Sequence, residues 1–160
     1  HSFGGLISLQ YALDHPEKVS KLAIVEAPIA PSRTTGLTDF LSLPRDQMVA
    51  ALPDTLRDLV TQNAGSRRVN RLLQSLYFLA YESSLLADIA GETDVPDEDL
   101  QRVTCPTLLV YGRSSSCIPG GERLAQNLPD ARYELLDGGH YLTVDAPDAL
   151  SELLVEFLHG

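Results

Sequence analysis

The sequence is short of positive charge. Twelve lysines and arginines stand against 22 aspartates and glutamates in 160 residues, a formal net charge of −10. Nucleic acid is thereby excluded as a partner, because its phosphates are met by basic patches. Two cysteines are too few for a disulfide framework. Cys105 and Cys117 also flank a run of strand character, whose extended chain holds them beyond bridging distance, so both read as free thiols in a reducing, cytoplasmic compartment. No apolar run is long enough for a membrane span, and the opening residues are not a charged-then-apolar signal peptide. Neither G-x-x-x-x-G-K-[ST] nor G-x-G-x-x-G occurs, so a phosphate cradle has no support, and Gly120-Gly121 reads as a loop and helix start. The four histidines and two cysteines form no C-x-x-C or H-E-x-x-H pattern, which argues against a metal site. The expectation is no cofactor and no metal.

What remains is ordinary globular composition, 44% hydrophobic and 21% charged, in about one domain's length. Leu6, Leu9 and Leu13 recur at helical spacing, so residues 3–13 are expected as a helix bounded by Pro16. Leu22 to Val25 is a short apolar run suited to a strand covered on both faces. Residues 37–100 change character. Helices are expected over Arg45–Leu52, over Asp54–Gln62 and from about Ser66, with no strand, and the acidic stretch 94–99 as a solvated loop leading into a short helix. Alternation then returns, with strands at 107–111 and 132–136 and helices at 120–127 and 147–158. That order predicts an α/β fold with a parallel sheet. Its parts are residues 1–36 and 101–160 as core, and 37–100 as a helical lid or cap, since loops of that length are uncommon unless functional. Phe40, Met48, Tyr77, Phe78 and Tyr81 are expected to pack within that lid or line an apolar pocket.

The chain opens on His1-Ser2-Phe3-Gly4-Gly5, the tail of a G-x-S-x-G motif. That motif is a tight strand-to-helix turn which lifts a serine above the sheet in a strained conformation. The N–H after the serine, here of Phe3, is placed to stabilise an oxyanion. Taken alone, Ser-x-Gly-Gly is a weak signal, because a serine at a helix start is usually just an N-cap. His140 adds weight: it follows Gly138-Gly139, directly after the last strand, where a base for a serine nucleophile belongs. His15 sits at a helix end and His159 at the terminus.

With these residues in place the sequence resembles the α/β-hydrolase fold superfamily over essentially its whole length. The resemblance rests on H-S-F-G-G, K-L-A-I-V-E-A-P, P-T-L-L-V-Y-G and G-G-H-Y-L-T-V-D-A-P. It implies that the chain is the C-terminal portion of a hydrolase of roughly 250 residues or more, inactive alone, with the early strands and the other oxyanion donor upstream. It also implies a triad acid after the P-T-L-L-V-Y-G strand, in a G-x-x-D pattern. Here that stretch, Gly112 to Ile118, has no carboxylate, and Ser115 reads as a turn residue. Either the acid is lost or it comes from elsewhere. Glu26, 24 residues beyond Ser2 at the end of the strand after the first helix, is the candidate. Its setting in V-E-A-P is similar to that of zearalenone-type lactonases and some haloalkane dehalogenases, although an acidic residue there also serves other members merely as an acceptor for loop backbone. Dehalogenases use an aspartate nucleophile, so Ser2 points to an esterase or lactonase. The expectation is a serine hydrolase of a small-molecule ester or lactone, with Ser2 as nucleophile, His140 as base, Glu26 as acid and Phe3 N–H in the oxyanion hole. Cleavage of a C–C bond, amide or thioester, or a non-catalytic binding role, are the alternatives, because fold does not choose among them.

Overall fold

The chain runs through α1 (Phe3–Asp14), a 3₁₀ turn at Pro16–Lys18 and β1 (Leu22–Val25). Five helices follow: α2 (Thr35–Leu41), α3 (Arg45–Met48), α4 (Asp54–Gln62), α5 (Arg67–Tyr81) and α6 (Leu85–Gly91). Then come α7 (Asp97–Leu100), β2 (Thr107–Gly112), α8 (Ile118–Asn127), β3 (Ala131–Leu136), α9 (Leu142–Asp145) and α10 (Pro147–His159). The computed structural model describes residues 1–32, 35–52, 54–91 and 93–160. None of the described helices is long and apolar enough to cross a membrane.

Two compact units emerge, one from residues 1–33 and 94–160, the other from residues 34–93. In the first, the strands form a parallel sheet in the order β1-β2-β3, with Leu22 opposite Thr107 and Thr107 opposite Ala131. β2 is buried along its whole length, as an unbroken apolar run demands. Its side chains alternate: Leu109 and Tyr111 join Ile24, Leu9, Leu13 and Leu124 on one face, and Leu108 and Val110 join Val25, Leu142 and Leu150 on the other. α1 and α8 therefore cover one face, and α9 and α10 the other. α1 lies close to the chain after β1 because Gly5 has no side chain. A Cβ there would stand 2.8 Å from the Cβ of Ala27. Arg123 of α8 binds Asp94, Asp97 and the Val95 carbonyl at 2.7 Å each, which ties residues 94–100 to the sheet unit.

The second unit is helical, as its periodicity predicts. Leu41, Met48 and Ala80 are buried together, with Phe40, Leu76, Tyr77, Leu85, Leu86 and Ile89 packed around them. Arg45 stacks its guanidinium over Tyr77 and Tyr81 and pairs with Glu82 at 3.6 Å. Phe78 is exposed. Ser66 caps α5 by accepting a hydrogen bond from the Val69 N–H at 3.3 Å. α3 stops at Met48, short of the expected Leu52, and residues 49–52 continue as turns and a bend. α8 starts two residues earlier than expected, because the fixed φ of Pro119 suits a first turn. The short helices α2, α6 and α9 carry too few turns to show a period in the sequence.

Candidate active site

Parallel pairing brings the C-terminal ends of the strands to one edge, and three loops meet there. The first is the turn into α1. Ser2 holds φ 55° and ψ −132°, a left-handed setting rare for a residue with a side chain. Its N–H donates to the Val25 carbonyl at the end of β1, at 2.9 Å. Its hydroxyl makes no capping bond to the helix, so the N-cap reading of Ser2 does not describe the side chain. Phe3 opens α1, where its N–H precedes any carbonyl the helix offers it.

The second loop leaves β1 at Glu26, again with a left-handed φ of 56°. The Glu26 N–H donates to the Val110 carbonyl at 3.0 Å, which pins the turn to β2. Its side chain is fully buried and its carboxylate accepts from the Gly112 N–H and the Ser115 hydroxyl. Ser115 in turn accepts from the Cys117 N–H at 3.0 Å. A buried carboxylate without such donors would be costly.

The third loop carries His140 from the end of β3. It is fastened at several points. The Ser114 N–H and hydroxyl both donate to the Gly138 carbonyl, at 3.0 and 2.8 Å, and the Gly139 N–H donates to Asp145 at 2.8 Å. The loop passes so close to Gly112 that a Cβ there would stand 2.4 Å from the Gly138 carbonyl oxygen. The His1 ring binds the His140 carbonyl at 2.8 Å, and the edge of Tyr141 meets the His140 ring.

The three side chains converge. His140 Nε2 lies 2.9 Å from Ser2 Oγ, and His140 Nδ1 lies 3.3 Å from Glu26 Oε2. An ionised carboxylate only accepts, so Nδ1 carries a proton and, in the neutral ring, Nε2 is free to accept from the serine. Cys117, buried, places Sγ 3.5 Å from the same Nδ1. The imidazole is pushed up from 6.5 to about 9, by the hydrogen bond to the Cys117 sulfur first and by Glu26 next, against burial, which pulls it down. Tyr111, whose hydroxyl donates to the Ala27 carbonyl at 3.1 Å, is raised above the usual phenol range, chiefly by burial.

Ser2, Glu26, His140 and the Phe3 amide thus all lie at one end of the sheet. Sequence reading passed over the rest. Ser115 and the Gly112 N–H hold the carboxylate, His1 touches the histidine loop, and Cys117 joins Glu26 and His140 in one cluster of potential metal donors, all within 4.8 Å of one another. No spacing motif announces that cluster, because its members sit 91 and 23 residues apart.

A family model for the alpha/beta hydrolase fold matches residues 1–80. RutD of Caulobacter sp. (strain K31), whose name proposes a carbamate hydrolase, is 25% identical over 190 residues, covering 100% of this chain and 64% of its own length. The 2-hydroxy-6-oxononadienedioate/2-hydroxy-6-oxononatrienedioate hydrolase of Paraburkholderia phymatum is 25% identical over 175 residues, covering 99% of this chain and 60% of its own. Among solved structures, the enol-lactonase of Burkholderia xenovorans LB400 superposes with a TM-score of 0.67 at 19% identity, over 99% of this chain and 64% of that one. The chain therefore spans less than two thirds of the length of these relatives.

Proposed function

The chain belongs to the alpha/beta hydrolase fold family, and from that premise we propose that it carries the nucleophile, base and acid of a serine hydrolase acting on a carboxylic ester or lactone. The observation that carries this reading is the continuous relay from Ser2 Oγ through His140 to Glu26, 2.9 and 3.3 Å on its two sides, with Ser2 in the left-handed turn at the start of α1.

Ser2 Oγ attacks the substrate carbonyl while His140 Nε2 takes its proton. Glu26 holds Nδ1 and stabilises the imidazolium that forms. The Phe3 N–H donates to the oxyanion. His140 then protonates the leaving alcohol or, for a lactone, the ring oxygen that stays tethered to the acyl group. Water, deprotonated by the same histidine, releases the acid and restores Ser2. The helical unit of residues 34–93, placed between β1 and β2 in the chain, supports the lid reading up to residue 93, whereas residues 94–100, expected as part of the lid, group with the sheet unit.

A second reading, hydrolysis of a C–C bond, is favoured by the name of the Paraburkholderia relative. A panel of p-nitrophenyl esters, a lactone, a carbamate and a vinylogous 1,5-diketone separates the two. Ester or lactone turnover at least tenfold above that of the diketone is expected. Preference for the diketone would replace the reading with C–C hydrolysis, and no turnover at all with a binding role.

The raised imidazole sets the pH dependence. His140 acts as base only when neutral. On the acid side of about 9, kcat/KM should rise about tenfold per pH unit and level off above it. Removing the sulfur in Cys117→Ala should move that limb to lower pH. Stability runs the other way: the protonated histidine's contribution is complete below about 6.5 and fades as pH rises through about 9. A rate limb centred near 6.5 in the native protein would contradict this setting of His140.

A further inference from the structure

We propose that Cys117, His140 and Glu26 form a binding site for a zinc ion, and that occupancy of this site switches the hydrolase off. The mechanism above uses the imidazole and the carboxylate but has no task for the thiol. Cys117 is nevertheless fully buried with its sulfur aimed at Nδ1, on the side of the ring opposite Ser2.

Charge and donor type agree, and so do the two separations that involve the imidazole. A tetrahedral zinc with Zn–S of ~2.3 Å and Zn–N and Zn–O of ~2.0–2.1 Å holds sulfur and nitrogen ~3.5 Å apart, and nitrogen and oxygen ~3.3 Å apart. The observed separations are 3.5 Å for Sγ to Nδ1 and 3.3 Å for Nδ1 to Oε2, and all three donor atoms lie within 4.8 Å of one another. A sulfur, an imidazole and one carboxylate suit zinc, whereas magnesium and calcium ask for oxygen alone. Thiolate and carboxylate together cancel the charge of a divalent ion, which a buried site requires. The ligands are also held from behind. The Gly112 N–H and Ser115 hydroxyl orient Glu26, and the Cys117 N–H is tied to Ser115 at 3.0 Å.

Inhibition follows from the tautomer and rests on the hydrolase reading; binding does not. Zinc takes the lone pair of Nδ1 and bonds Sγ. The thiol proton leaves to solvent, and the imidazole's remaining proton resides on Nε2. That nitrogen then donates to Ser2 and cannot accept its proton, while the Glu26 oxygen is turned to the metal. Nothing is oxidised or reduced. Because Cys117 and Glu26 are buried and His140 is the one partly exposed donor of the three, inhibition should develop progressively after mixing.

The test has two arms on the intact, reduced protein in chelator-free buffer. In the first, Co²⁺ is titrated in as a spectroscopic probe. One equivalent per chain should give a thiolate-to-cobalt charge-transfer band that Zn²⁺ displaces. The band should vanish in Cys117→Ser and Cys117→Ala, weaken in His140→Ala and persist in Cys105→Ser, with thermal melts showing that each variant is folded. In the second, ester turnover is followed with and without Zn²⁺. Native activity should fall and return with chelator, and Cys117→Ser should need on the order of 100-fold more zinc for the same fractional loss. Absence of the band in the native protein overturns the site, as does a band that survives loss of Cys117, or equal zinc sensitivity in Cys117→Ser. A cobalt band on Cys117 in a protein that hydrolyses nothing would uphold the site and overturn the hydrolase reading. Hydrolysis without the band would do the reverse.

Discussion

Ser2→Ala should lower kcat by on the order of 10⁴- to 10⁶-fold, about 5 to 8 kcal/mol of barrier, with the fold retained. The attacking oxygen is gone, and neither His140 nor the Phe3 amide replaces it. The side chain anchors little else: it makes no capping bond to α1, and its contact with His140 Nε2 is only partly buried. The backbone at Ser2 supplies a second readout. A side chain at φ 55° and ψ −132° carries strain of about 1 to 3 kcal/mol. Alanine keeps the Cβ and hence the strain, whereas glycine relieves it and loses part of the gain to unfolded-chain entropy. Ser2→Gly should therefore be as inactive as Ser2→Ala but about 1 kcal/mol more stable, measured by urea denaturation. Equal stability of the two variants would mean that the turn is relaxed. Activity within tenfold of native in Ser2→Ala would mean that the nucleophile is elsewhere.

Glu26→Gln should cost on the order of 10²- to 10⁴-fold in kcat, with the largest part in the step that charges the imidazole. Glutamine matches glutamate in shape, but its NH₂ group faces donors. Gly112 N–H, the Ser115 hydroxyl and His140 Nδ1 all surround the native carboxylate. An amide NH₂ beside Nδ1 favours the tautomer with its proton on Nε2, which is the wrong nitrogen for a base. The same crowding predicts a rescue. Ser115 Oγ already touches the Glu26 oxygen nearest His140, so a carboxylate introduced by Ser115→Asp reaches the same space. Ser115→Asp added to Glu26→Gln should restore about tenfold or more of the lost rate. Ser115→Asp alone should lose rate, since two buried carboxylates then share one histidine. A normal rate in Glu26→Gln would leave Glu26 as an acceptor for loop backbone and nothing more.

The order of strands and helices in the sheet unit is legible in the sequence because fully covered parallel strands write unbroken apolar runs such as Thr107–Tyr111. The helices around them bury regular stripes such as Leu9, Ala12 and Leu13. Ser2 and His140 stand out for a different reason: Ser2 opens the H-S-F-G-G pattern at the start of α1, and His140 follows Gly138-Gly139 at the end of β3. Glu26 comes into view through the family resemblance, as the acid that the stretch Gly112 to Ile118 lacks and as the glutamate of V-E-A-P, and neither clue speaks of its burial or its donors. Cys117, Ser115 and His1 left no local signal. Their neighbours come from strand ends brought together by parallel pairing, and Cys117 reads along the chain as one more small apolar residue before α8. Short helices such as α9 are set by tertiary bonds, here from the Gly139 N–H to Asp145, rather than by a repeating pattern.

Reaction of the intact protein with a fluorophosphonate, followed by peptide mass spectrometry, tests the central claim most directly. The reagent phosphonylates only a serine whose proton is taken by a base as fluoride leaves. One adduct per chain is expected on Ser2, absent in Ser2→Ala and slowed at least a hundredfold in His140→Ala (an order-of-magnitude figure). An unlabelled native protein, or an adduct on any residue other than Ser2, would contradict the assignment of Ser2 and His140 as nucleophile and base.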